Sequence, residues 1–246
     1  MRVLGALLAL GCLGGQGPEP PPGGGFDPNA EVTALFIGNS LTYTNDLPAL
    51  TGQIAEAAGR SFDYAVRAAP NLSLEDHWYE GAAGLIAQLG ADVVILQQGP
   101  SSLPESQQHL RTWAMQFDES IRKAGGTPAL LMVWPESSRQ EAFDAVSDSY
   151  RAAAEAVNGR LIPAGDAWRA VWRRDPEVAL YGPDGFHPSA LGSLVAALAV
   201  YAVLFDADVT TLPASVAPGV SGERLEILLA AVAEVVAPAS AAASSR

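Results

Sequence analysis

Three residues in this chain could together move protons and make an acyl bond, yet they lie far apart in sequence. Ser40 stands in "FIGNSLT", just past an apolar run that ends at Gly38-Asn39, and Asp184 and His187 stand together in "YGPDGFHPSALGS". A serine hydroxyl is a weak nucleophile until a base takes its proton. Histidine is the natural base. A carboxylate three positions ahead of it, on a compact turn containing Gly185, can bond the near ring nitrogen, fixing the tautomer and stabilising the imidazolium that forms. Pro188 and Ser189 open a helix that would carry the imidazole on a rigid element. Alone, Ser40 reads as an N-cap of the helix that follows it; the Asp184–His187 pair turns the expectation to a nucleophile. Gly38 is expected to let the backbone make the tight turn at the strand end.

The remaining candidate groups have plainer readings. His77, in "LEDHW", has no suitable carboxylate beyond adjacent Asp76 and reads as structural or merely exposed, and His109, in "SQQHLRTW", reads as a solvent-facing mid-helix residue. Of Trp78, Trp113, Trp134, Trp168 and Trp172, Trp134 is the best candidate for a sugar-stacking platform because it ends a strand, with core packing as the default reading. The pairs Glu75/Asp76 and Asp118/Glu119 read as helix surface rather than a glycosidase dyad. No His/Cys cluster has metal-ligand spacing, and no Gly-rich run matches a phosphate loop.

Elements able to position Ser40, Asp184 and His187 follow from the hydrophobic pattern. Strands are expected at Val32–Ile37, Phe62–Val66, Asp92–Leu96, Ala129–Trp134 and Arg160–Pro163. Helices are expected at Leu47–Arg60, Leu74–Leu89, Pro104–Ala124 and Arg139–Asn158, after Pro188, and near Gly222–Val236. "ADVVILQQG" and "TPALLMVWP" are continuous apolar runs, as central strands covered on both faces require. Strand–helix alternation of this kind implies a doubly wound α/β fold with a parallel sheet, whose ligands gather at the carboxyl ends of the strands. The apolar stretch Leu191–Phe205 falls short of the ~20 residues of a membrane span and reads as a buried core helix.

The 246 residues, 49% hydrophobic and 17% charged, suffice for one sizeable domain. A net charge of −13 argues against a nucleic-acid partner, since nothing would neutralise phosphates. At the N-terminus Arg2 precedes an apolar run of about a dozen residues, suitable for an export signal. The single cysteine, Cys12, ends that run after Ala9-Leu10-Gly11. This resembles a bacterial lipoprotein signal, with Cys12 lipidated and anchoring the protein to the membrane; an ordinary secretory leader is the alternative. Both readings export the protein to the cell envelope or beyond. The expected domains are a leader over residues 1–12, a Gly/Pro-rich linker over 13–30, the folded domain over 31–237 and a flexible tail over 238–246.

Together, "FIGNSLT" and "DGFHPSALG" resemble the motifs of the SGNH hydrolases, also called GDSL-like esterases and lipases, over Glu31 to about Phe205. The resemblance implies a three-layer α/β/α, flavodoxin-like fold with a five-stranded parallel sheet, and hydrolysis of acyl esters without a cofactor. It makes Ser40 the nucleophile, His187 the general base and then acid, and Asp184 its orienting partner. It also implies an oxyanion hole of the Ser40 N–H, a second backbone N–H from "APNLSLEDHW", and a side chain, usually an asparagine, within "DVVILQQGPSS". Asn71 or Leu72 stands where a glycine is usual, and Ser101 where an asparagine is usual. Gln97 or Gln98 could supply the amide, with Gln98, backed by Ser101, the expected donor. The implied substrate is a small-molecule or carbohydrate ester, with a short acyl group such as acetyl. The competing expectation is a catalytically weak lipoprotein that binds carbohydrate in the same cleft.

Overall fold

The computed structural model describes residues 25–236. Cys12, the leader, most of the linker and the tail lie outside the described residues. The sheet contains β1 (Val32–Gly38), β2 (Phe62–Ala68), β3 (Val93–Leu96), β4 (Thr127–Leu131) and β5 (Arg160–Ile162). All neighbours pair in parallel in the order β2-β1-β3-β4-β5. This is the flavodoxin-like order, in which the direction of winding reverses between β1 and β3. Ala34–Ile37 and Val93–Leu96 are buried at every position, which is why their sequences are apolar without alternation.

Helices cover both faces. The helices α2 (Leu47–Ala57), α7 (Ala164–Arg174), α8 (Ala190–Phe205) and α9 (Gly222–Val235) pack among themselves. Across the sheet lie α3 (Leu74–Tyr79), α4 (Ala82–Leu89), α5 (Pro104–Lys123) and α6 (Phe143–Ala156). A single turn, α1 (Ser40–Tyr43), follows β1 directly. The fold class and all five strand positions expected from sequence are present, with small differences at their ends.

Some differences have local causes. The helix expected over Leu74–Leu89 is divided by Gly81, whose φ of 89° is incompatible with an α-helix. The segment expected to begin a helix at Arg139 is instead a 3₁₀ stretch, Ser137–Ala142, in which Arg139 has φ −132°. Strand β4 stops at Leu131, and Met132–Trp134 continue as buried chain outside the ladder. Helix α7 was not expected: "AGDAWRAVWRR" alternates charges with tryptophans, and its apolar stripe of Ala167, Trp168, Ala170 and Val171 is buried against neighbouring helices. Helix α8 is buried along almost its whole length, and among the described residues no helix is long and apolar enough to cross a membrane.

Candidate active site

The β1–α1 turn lies at the switch point of the sheet. Asn39 leaves the strand in an extended conformation and its Oδ1 accepts the Leu41 N–H at 3.1 Å, so Asn39, not Ser40, is the cap of the helical turn. That frees Ser40, the first residue of α1, from a capping duty. Gly38 is required for a reason other than the expected one. Its φ is not positive, but a Cβ there would lie 2.3 Å from Thr42 Oγ1 and 2.5 Å from Gln97 Oε1. The glycine provides room for the side chain of Gln97, from the end of β3, beneath the turn.

Gln97 is fully buried and its amide is committed. Its Oε1 accepts from the Asn39 N–H at 2.9 Å and the Thr42 hydroxyl at 2.7 Å. Its Nε2 donates to Asn39 Oδ1 at 3.0 Å and to the Gln98 carbonyl at 2.5 Å. One neutral side chain thereby ties down both the backbone and the side chain of the residue before Ser40. Beneath the same turn, His77 Nε2–H donates to the Gly38 carbonyl at 2.7 Å, which fixes its tautomer. His77 Nδ1 is buried without a partner, and burial pushes the imidazole pKa below its ordinary value, with neighbouring Arg67 acting the same way. His77 is thus a neutral structural donor, in line with its sequence reading.

His187, the expected base, approaches from the loop before α8. His187 Nε2 lies 2.9 Å from Ser40 Oγ, and His187 Nδ1 lies 2.5 Å from Asp184 Oδ2. The other carboxylate oxygen, Asp184 Oδ1, accepts the N–H groups of Phe186 at 3.0 Å and His187 at 2.9 Å. The bond from His187, helped by these two backbone donors, pushes the Asp184 pKa down to about 2. The turn between them needs Gly185, which has φ 71° and no room for a Cβ against Ser137 Oγ. The loop is held from behind by Trp134 Nε1–H, which donates to the Phe186 carbonyl at 3.0 Å, and by the Tyr181 hydroxyl, which donates to the Pro135 carbonyl at 2.6 Å.

The expected oxyanion residues gather around the same strand ends. Asn71 has φ 61°, a left-handed conformation that glycine adopts freely and that asparagine tolerates better than most residues. This accounts for an asparagine where the resemblance has glycine. The loop is drawn to the β1–α1 turn by Asn39 Nδ2, which donates to the Leu72 carbonyl at 3.2 Å. Gln98 Nε2 donates to Ser101 Oγ at 3.0 Å and Gln98 Oε1 accepts from Leu74 N–H at 3.4 Å, while Ser101 has φ 56°. Gln98 and Ser101 are therefore paired with each other, as expected, and one N–H of the Gln98 amide has no partner among the described residues. The buried Tyr150 hydroxyl donates to the Gln98 carbonyl at 2.7 Å and buttresses this segment. Neither Tyr150 nor Thr42 was singled out from sequence; nothing in the spacing of a lone hydroxyl inside an apolar pattern marks it.

Trp134 does not form a stacking platform. It is 1% exposed and stacked on Trp168 at 3.6 Å between centroids, which is the default core reading. His109 is not simply solvent-facing, because its Nε2 lies 2.9 Å from Glu75 Oε2. Among the described residues no group of His, Cys, Asp and Glu could hold a metal ion.

Comparison with solved structures identifies the fold. A DUF4886 family protein from Bacteroides uniformis superposes with a TM-score of 0.71 at 19% identity, covering 82% of this chain and 93% of its own. A proposed SGNH hydrolase from Slackia heliotrinireducens gives 0.60 at 24% identity, over 71% and 99% of the two chains. The acetylxylan esterase Axe2 from Geobacillus stearothermophilus gives 0.56 at 16% identity, over 71% and 94%. No family model and no curated protein sequence matches the chain. The fold is that of the SGNH hydrolases.

Proposed function

We propose that this protein is a serine esterase in which Ser40, His187 and Asp184 act as a catalytic triad. The observation that carries the reading is the unbroken chain of two hydrogen bonds from Ser40 Oγ through the imidazole to Asp184, across 147 positions of sequence. Ser40 Oγ attacks the ester carbonyl while His187 Nε2 takes its proton. The tetrahedral oxyanion is met by the Ser40 N–H, a backbone N–H at Asn71, and the Gln98 amide backed by Ser101. His187 then protonates the departing alcohol, leaving an acyl-enzyme on Ser40. Water, deprotonated by the same imidazole, releases the acid. Asp184, held ionised at ordinary pH by its bond to His187, keeps the Nδ1 proton in place and stabilises the imidazolium.

A short acyl group on a bulky alcohol, such as acetyl on a carbohydrate, is the substrate class we favour. The Asp184 side chain is 52% and the His187 side chain 36% exposed. An open dyad of this kind leaves room for a large leaving group beside the base, and the likeness in fold to an acetylxylan esterase agrees. Export by the leader, with lipid anchoring at Cys12, is part of the same proposal. The competing reading, a catalytically weak carbohydrate-binding protein, is favoured by one feature, the Gln98 amide already engaged with Ser101. The purified protein should react covalently with a fluorophosphonate and hydrolyse p-nitrophenyl acetate, and Ser40→Ala should abolish both. Wild-type protein that does neither, yet binds polysaccharide, would establish the competing reading instead.

A further inference from the structure

Two consecutive residues just after the nucleophile turn, Asn45 and Asp46, have left-handed backbones, with φ 55° and 52°. Such a conformation is unfavourable for most residues with a side chain, and asparagine and aspartate tolerate it better than others. The side chains at both positions also find partners. Asp46 has one, because its Oδ1 accepts the Ala49 N–H at the start of α2. Asn45 has another, and it points away from its own segment. Its Nδ2 donates to the Pro188 carbonyl at 3.0 Å and to Ser193 Oγ at 2.9 Å. The Ser193 hydroxyl in turn faces the Thr44 carbonyl at 3.4 Å.

We propose that Asn45 is a positioning residue that clasps the base-bearing loop to the nucleophile-bearing turn. Pro188 directly follows His187, and Ser193 lies in the first turns of α8, fully buried. The Asn45 amide thus joins, with its two N–H groups, the chain on which Ser40 sits to the chain on which His187 sits. On its far side the same loop is fixed by main-chain bonds, from Gly182 N–H to the His187 carbonyl at 2.7 Å and from Ser189 N–H to the Leu180 carbonyl at 2.8 Å. Those bonds hold the loop to itself and to its own flank. Asn45 spans the gap between the two halves of the site and sets the reach from imidazole to hydroxyl. Asn45 touches neither the ring nor the hydroxyl, so it acts through their separation, to which proton transfer is steeply sensitive.

The idea rests on the esterase reading, and the test separates the two. Asn45→Gly removes the amide while relieving the backbone, so the chain folds as before. Asn45→Asp keeps size and left-handed tolerance, and can still accept from Ser193, but cannot donate to Pro188. With p-nitrophenyl acetate, both variants should lower kcat by about tenfold or more and leave KM within about twofold, and in Asn45→Gly, which adds no charge, the pH–rate curve should fall evenly without displacement. Hydrogen exchange at the amides of Gly182, His187 and Ser189 should quicken several-fold in both, and this readout stands even if no ester is turned over. Wild-type kcat in Asn45→Gly together with unchanged exchange overturns the clasp. Ser193→Ala removes one of the two acceptors and keeps the Pro188 bond, so its loss should be smaller than that of Asn45→Gly. An inactive wild type that Ser40→Ala leaves unchanged refutes the esterase reading alone, and the exchange measurement then decides the clasp.

Discussion

Replacing Gly38 by alanine probes the construction beneath Ser40 most directly. The added Cβ would sit 2.3 Å from Thr42 Oγ1 and 2.5 Å from Gln97 Oε1, about an ångström inside ordinary contact. Neither neighbour is free to retreat, since Thr42 is 1% exposed and Gln97 fully buried. Gln97 Oε1 holds the Asn39 N–H and the Thr42 hydroxyl, and both bonds are lost if it moves. Overpacking costs about 1–3 kcal/mol, and each hydrogen bond adds about 1 kcal/mol. The sum is about 3–5 kcal/mol, a large part of the stability of a domain of this size. Urea unfolding should register that loss. Fluorophosphonate labelling of the fraction that remains folded should slow by about 10²-fold, because Asn39 carries Ser40 with it.

A double-mutant cycle with Gln97→Ala sharpens the argument. With the amide gone, one of the two collisions disappears and the new methyl enters vacated space. The double variant should then be about 1–2 kcal/mol more stable than the sum of the single losses. Simple additivity, or a Gly38→Ala protein with the wild-type midpoint and labelling rate, would refute the claim that space for Gln97 is what the glycine provides.

Two further substitutions test the electrostatics. Asp184→Asn keeps an oxygen for the Phe186 and His187 N–H groups but cannot accept from Nδ1, so kcat should fall about 10²–10⁴-fold; wild-type kcat would remove Asp184 from the mechanism. With its folded pKa lowered to about 2, Asp184 contributes stability fully above its ordinary value near 3.9 and loses it as pH falls through about 2, so the wild-type advantage over Asp184→Asn should vanish across that window. His77, facing Arg67, Asp76 and Glu80, has its pKa lowered by burial, so the unfolded chain takes up a proton first, and stability should fall as pH drops below about 6.5, by at most about 1.4 kcal/mol per pH unit. In His77→Gln, urea unfolding between pH 7 and 5 should show a shallower slope, and parallel curves would contradict the buried neutral imidazole.

The parts of the molecule that sequence made legible are those whose signal is local. Continuous apolar runs mark β1, β3 and β4 because both faces of the sheet are covered, and Asp184-x-x-His187 is a self-contained turn whose bond needs no distant partner. What sequence hid depends on tertiary approach. Nothing in "GNS" states that the glycine makes room for a glutamine 59 positions later. Nor does a tryptophan at a strand end reveal that Trp168, on a helix absent from the pattern, will cover it. Asn71 was visible as a departure from glycine, but only its φ of 61° shows why the departure is tolerated.

The chemistry of the turn follows from which donors are satisfied and which are left. A helix start exposes several N–H groups without intrahelical acceptors. Here the Leu41 N–H is taken by Asn39 Oδ1, the Thr42 N–H by the Asn39 carbonyl, and the Asn39 N–H by Gln97. The Ser40 N–H alone in this series has no partner among the described residues, and it belongs to the residue whose hydroxyl faces His187. An amide suits the anchoring position because one side chain offers both an acceptor for the Asn39 N–H and a donor for Asn39 Oδ1. A carboxylate could supply only the first, and would set a negative charge beneath the place where the proposed mechanism forms its oxyanion. On that proposal the neutrality of Gln97 matters as much as the ionisation of Asp184.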